Sequence, residues 1–248
     1  MSRADFVRLK QFSRQARRAP AREEGNMELS PDRKEIIRYL GYHGVTPDEE
    51  ILREIELCVG QLQKAATPRF VYEKFPLSRA RGNNNEEQLC FAGISVTSRN
   101  LSANLQGCSA VYLMAATLGP GPDLLIRRAG IEKVSRAVIL QAAAAAMTET
   151  WCDQVNERIR LEAERDGLYT RPRYSPGYGD LPLTLQTDIS RILNMPKEIG
   201  VSLTDSLLMT PSKSVTALIG VSHIAGDCHR SGCAECSAFS TCIYRAET

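Results

Sequence analysis

The 248-residue chain carries 31 Lys and Arg against 29 Asp and Glu, a net charge of +2, so overall charge gives no pull toward nucleic acid or acidic lipid. Hydrophobic residues at 43% and charged residues at 24% fit an ordinary folded domain with extensions. No run of about 18 apolar residues predicts a membrane span, and the first residues lack the apolar core of a secretory signal, so the cytoplasm is the expected location.

Residues 1–26 hold seven Lys/Arg and three Asp/Glu and read as a basic, disordered extension. Phe6, Leu9 and Phe12 make only a weak helical stripe, and the readable pattern begins near Met27; a minor docking arm is the alternative. Ser30-Pro31-Asp32 and Thr46-Pro47-Asp48 each predict a helix start, with Ser30 and Thr46 as caps and proline first in the helix. The second helix runs to about Ala65 through Ile51, Ile55, Leu57 and Leu62. Residues 70–75 alternate and predict a strand, 82–85 a turn, and 89–96 a second strand. A short helix follows over 101–105.

Residues 110–117 are apolar throughout and predict a central strand buried on both faces. Residues 118–123 (LGPGPD) then read as a rigid loop, either a ligand-facing one or an ordinary connection. One long helix is expected from Arg128 to Arg165, with Ile131, Val138, Ala142, Ala145 and Glu149 on one face. A carboxylate on an apolar face needs a partner unless it reaches solvent, and both readings of Glu149 stand. Trp151, Val155 and Ile159 lie off that face and are free to pack elsewhere. A helix over 186–193, a strand-like 199–208 and a buried strand over 214–222 complete the domain. The fold class is therefore α/β of the α+β type, with a mixed or antiparallel central sheet and flanking helices; no Gly-x-Gly-x-x-Gly fingerprint supports a Rossmann domain.

The chemistry concentrates in Arg173-Tyr-Ser-Pro-Gly-Tyr178. A guanidinium fork, a Pro-Gly turn that lets backbone approach a ligand, and a phenol fall within six residues. A plain turn is the bland alternative. Cysteines divide into two groups. Cys58, Cys90, Cys108 and Cys152 are scattered and read as small buried hydrophobes. Cys228, Cys233, Cys236 and Cys242 crowd the end in a Cys-x4-Cys-x2-Cys-x5-Cys pattern, the spacing of a metal centre, iron–sulfur or zinc, with His229 as a further nitrogen donor.

Segments 170–183 (TRPRYSPGYGDLPL) and 200–217 (GVSLTDSLLMTPSKSVTA) together resemble the activation (reactivation) domain of cobalamin-dependent methionine synthase. The resemblance covers roughly 131–222 and extends loosely back to Arg33, where the chain is similar to free-standing bacterial relatives. That family binds S-adenosylmethionine through an Arg-x-x-Pro-Gly-Tyr motif and remethylates inactive cob(II)alamin. The resemblance implies that Arg173 pairs with the ligand carboxylate and Glu149 answers its ammonium. It puts Ser175 and Gly177 in main-chain contact, and Tyr178 near the sulfonium or corrin. Ser175 replaces a family alanine, a late family tyrosine has no clear match, Asp123 is a loose candidate for an early aspartate, and His223 for a corrin-facing group.

The implied function is a stand-alone S-adenosylmethionine-binding reactivation subunit, an accessory part of a methionine synthase whose cobalamin sits on the partner. The alternative is a non-catalytic partner of another corrinoid protein, delivering electrons from a donor protein through a C-terminal iron–sulfur cluster. A methyltransferase for another acceptor is the third reading. Neither nucleic acid nor membrane is an expected partner. The division is 1–26 extension, 27–222 activation-domain-like domain with an N-terminal helical part, and 223–248 cysteine-rich metal-binding tail.

Overall fold

The computed structural model describes residues 29–42, 44–82 and 86–225. The chain opens with α1 (Arg33–Tyr39) and α2 (Glu49–Ala65). Their caps are Asp32 and Asp48, not Ser30 and Thr46: the carboxylates accept from the Lys34 and Ile51 amides at 2.8 Å. Aspartate caps as well as a hydroxyl residue does and stands nearer the first turn, so each proline falls before the cap. Leu57 on α2 is exposed, and Cys58 takes the core position instead.

Strand β1 (Arg69–Pro76) forms where alternation predicts it. The three strands that follow are β2 (Ser78–Arg81), β3 (Glu87–Phe91) and β4 (Ile94–Val96). The single strand expected over 89–96 is thus a hairpin, turned at Ala92 and Gly93 with φ of 50° and 78°. Two left-handed residues give a turn whose twist suits paired strands. Ser98 then caps α3 (Arg99–Asn104), and β5 (Ala110–Thr117) follows.

The long helix of the sequence reading is two helices, α4 (Gly121–Glu132) and α5 (Val134–Arg165). Lys133 is extended, φ −156° and ψ 99°, and separates them. The expected loop over 118–123 shortens accordingly, because Pro122 sits in the first turn of α4. Ile131 and Val138 are exposed, so the apolar face drawn through them does not exist. The face that packs carries Met147, Trp151, Val155 and Ile159.

The remainder is β6 (Tyr169–Thr170), α6 (Leu185–Leu193), α7 (Met195–Glu198), β7 (Ser202–Leu203), β8 (Met209–Thr210) and β9 (Ser214–Ser222). The strand expected over 199–208 is mostly loop; Leu207, at φ 64°, helps turn the chain between β7 and β8. The main sheet is antiparallel in the order β1-β5-β9-β6, flanked by a β2-β3-β4 sheet and the β7-β8 pair. This bears out the α+β class with an antiparallel central sheet. Alternate residues of β5 enter two cores: Tyr112, Met114 and Ala116 meet α5, while Val111, Leu113 and Ala115 meet α6 and its surroundings. That double burial is why 110–117 is apolar throughout.

Under α5, the Tyr72 and Tyr112 hydroxyls donate to the two Glu162 carboxylate oxygens at 2.9 and 3.1 Å. Burial, and the Glu162 charge beside it, push the Tyr72 phenol up to about 12 and raise that of Tyr112. The folded state therefore holds these protons after the unfolded chain, at about 10, has lost them. Stability is expected to be intact on this account below pH 10 and to fall from there through pH 12. Denaturant midpoints at pH 8, 10 and 11 check this.

Candidate functional site

The main sheet loses its edge partner halfway along β9. Strand β6 pairs Tyr169 with Ser222 and Thr170 with Val221, the Arg171 amide bonds the Gly220 carbonyl, and Tyr174 bridges Leu218. Beyond that point the chain turns away through Pro176 and Gly177, and a cleft of about 320 Å³ opens beside residues 214–216. Its volume lies at the lower end of the range for small-molecule sites. Glu149 lines it from α5, Arg173 to Pro176 and Tyr178 from the motif loop, Gln186 from α6, Met209 from β8, and Ser214 to Thr216 from β9.

Arg173 is the charged centre. Its side chain is 9% exposed, and its guanidinium reaches Glu149 and Asp153, one helical turn apart on α5, at 2.5 Å each. Burial by itself pushes this guanidinium down, but the Asp153 hydrogen bond and the neighbouring negative charges outweigh it and hold it above its ordinary value. Glu149 is half exposed and sits in mid-helix, so it is neither buried alone nor a solvent-seeking helix end. The structure thus brings Glu149, Arg173, Ser175 and Tyr178 to one cleft. Tyr178 stands at its rim, 68% exposed. Gly177 is not among the lining residues: its amide donates to the Leu181 carbonyl at 2.9 Å, inside the turn.

The motif loop is held from below by a contact the sequence does not advertise. The Asp180 carboxylate accepts from the Ser98 hydroxyl at 2.5 Å and from the Arg99 and Asn100 amides at 2.7 and 3.2 Å, closing the start of α3. Those bonds, Ser98 first, hold the Asp180 carboxyl below its usual range. Gly179 has φ 54°, and a β-carbon there would lie 2.1 Å from the Asn100 side chain, so the loop is pressed onto α3.

Residues 132–227 match the family model described as vitamin B12 dependent methionine synthase, activation domain. Over that segment the chain is similar to the activation domain. The solved structure of the MetH reactivation domain bound to AdoHcy superposes with a TM-score of 0.61 at 20% identity, over 88% of this chain and 81% of that one. That likeness establishes an activation-domain fold. No curated protein matches the chain. Every residue that lines the cleft falls inside the segment matched to the activation domain, whereas Ser98, which anchors Asp180, falls outside it.

The remaining sequence-predicted groups do not meet at the cleft. Asp123 sits in the first turn of α4 and accepts from the Ser212 amide and hydroxyl at 2.7 and 2.6 Å, tying α4 to the start of β9. His223 is exposed just past β9. Cys58 and Cys152 are buried as expected, while Cys90 and Cys108 are partly exposed. Cys228, Cys233, Cys236 and Cys242 lie outside the described residues, as does the extension 1–26. Among the described residues no group of three or more His, Cys, Asp or Glu is placed to hold a metal, and no helix is long and apolar enough to cross a membrane. A second hollow, about 550 Å³, lies between α2 and α5. Its polar lining is mainly Asp48, Glu50, Glu54 and Lys133, and it contains none of the motif residues.

Asp153, Asp180, Gln186, Met209 and Thr216 escaped the sequence reading. Only Asp180 offered a signal, as an acidic residue directly after the motif turn. Replacing Asp180 by alanine is expected to free the loop from α3 and weaken ligand binding several-fold, with a smaller effect on melting temperature. Paired titration and thermal melts check it; a lower melting temperature with unchanged affinity would make Asp180 a fold residue only.

Proposed function

We propose that this chain binds S-adenosylmethionine in the cleft and serves as a reactivation subunit for a cobalamin-dependent methionine synthase. The observation that carries the reading is the Arg173 guanidinium on the cleft wall, bridged to Glu149 from within an Arg-x-x-Pro-Gly-Tyr loop. The amino-acid half of S-adenosylmethionine is a zwitterion and needs both charge signs side by side. Arg173 offers the fork for its carboxylate, and Glu149 offers a half-exposed carboxylate for its ammonium. The two side chains already stand against one another, so the ligand's two charges would exchange into an existing ion pair rather than order free side chains. The residues present therefore fit the ligand.

The ligand supplies the methyl group, and the partner's cobalamin accepts it once reduced. The chain's own residues bind, orient and neutralise; none in the cleft has to move a proton. Tyr178, exposed at the rim, is where the docked partner would meet the site. Ser175 lines the cleft and Gly177 shapes the turn beneath it. Adding this chain, S-adenosylmethionine and a low-potential reductant to an inactivated methionine synthase is expected to restore turnover. No recovery with any corrinoid partner would count against the role.

The second reading gives the tail an active part, and only its cysteine spacing favours it. Four thiolates within about fifteen residues suit one iron–sulfur or zinc centre, and an iron–sulfur cluster there would relay the electron that reactivation requires. Cys233→Ser is expected to strip the metal, read by metal analysis and absorption, while S-adenosylmethionine affinity stays within about twofold, because every residue lining the cleft precedes the tail in sequence. Loss of both together would make the centre structural.

A further inference from the structure

Two residues that line the cleft each carry a buried polar atom with no hydrogen-bond partner: Oε1 of Gln186 and Oγ1 of Thr216. The two residues are 6% and 2% exposed, and both line the cleft. A buried polar group left unpaired costs stability, and native proteins keep few of them. Ser214, two residues before Thr216 on the same face of β9, bonds the Thr117 hydroxyl and the Pro211 carbonyl at 2.8 and 2.7 Å.

Thr216 also offers its backbone. Tyr174 and Leu218 exchange both main-chain bonds at 2.8 Å, so the N–H and C=O of Leu218 point away from β5. Backbone direction alternates along an antiparallel strand, so those of Thr216 point the same way. No described strand pairs with β9 on that side at Thr216, because β6 meets only Val221 and Ser222 and the motif loop has already turned off.

We infer that Thr216 and Gln186 read the nucleoside half of the ligand, an inference that rests on the S-adenosylmethionine reading above. Arg173 and Glu149 occupy the charged part of the cleft and suit the amino-acid half. A purine carries an N–H donor beside a ring-nitrogen acceptor, and ribose carries two hydroxyls. These are the groups that satisfy an amide oxygen, a hydroxyl and an adjacent main-chain N–H and C=O. A site with buried polar atoms awaiting such partners discriminates against molecules that lack them.

Gln186→Leu and Thr216→Val remove the orphan atoms at nearly constant shape. The experiment is calorimetric titration of the full chain and both variants with S-adenosylmethionine, then with adenosine as a nucleoside-only probe, alongside melts without ligand. Each variant is expected to bind either probe roughly 3- to 10-fold more weakly, the loss of one neutral hydrogen bond. Each is also expected to melt at the same or a higher temperature, because an unsatisfied buried atom has gone. Weaker binding with a lower melting temperature would make the pair structural and overturn the assignment. Unchanged affinity in a variant, with the wild type binding S-adenosylmethionine, removes that residue from the site and leaves the proposed function standing. A folded wild type that binds neither probe overturns both.

Discussion

Replacing Arg173 by alanine is expected to weaken S-adenosylmethionine binding by about 1.5–3 kcal/mol, roughly 10- to 150-fold, the range for a hydrogen bond to a charged group. The side chain is nearly buried, yet both carboxylates it holds are about half exposed. Glu149 and Asp153 can therefore turn to water when the guanidinium is gone, and the fold should lose less than the site does. Arg173→Lys is expected to recover only part of the affinity. An ammonium is a point charge that cannot span two carboxylates and a ligand in one plane. Titration of both variants, with thermal melts to confirm folding, checks this. An alanine variant that folds and keeps its affinity would take Arg173 out of the site.

The largest expected effect on stability comes from Trp151. It is 4% exposed, its indole N–H donates to the Arg69 carbonyl at 3.1 Å, and its ring meets Phe70 edge-on with centroids 5.8 Å apart. It thereby pins α5 to the start of β1, from a position between Glu149 and Asp153 in sequence. Trp151→Ala should cost about 3–5 kcal/mol through the cavity it leaves. The orphaned Arg69 carbonyl adds to that cost. Trp151→Phe should cost clearly less, since a ring still fills most of the space. Denaturant unfolding followed by circular dichroism is the measurement, because this is the only tryptophan in the sequence and its fluorescence leaves with it. A loss under about 1 kcal/mol in the alanine variant would contradict the packing account.

How much of this was legible in the sequence depended on how local each signal was. Strand β5 was readable because burial on both faces leaves an unbroken apolar run. The motif loop was readable because its arginine, turn and phenol are consecutive. The break at Lys133 was not, since neither proline nor glycine marks that position and the helical pattern on both sides is continuous. Ile131 is cut off from the expected face by that break, whereas Val138, on the same helix as Glu149, is simply exposed. The partners of the motif were the least legible. Asp153 looks like any helix-surface acid until Arg173 reaches it, and Gln186 and Thr216 look like ordinary helix and strand residues until the fold brings them to one edge of β9. The Asp180 anchor likewise needed Ser98, 82 residues earlier, to become visible.

The most direct test of the central claim is calorimetric titration of anaerobically purified protein with S-adenosylmethionine, with absorption spectrum and metal content recorded on the same sample. The account predicts saturable binding of one equivalent, abolished or strongly weakened in Arg173→Ala. A folded, metal-replete sample that binds none would contradict it and would favour the electron-delivering corrinoid partner instead.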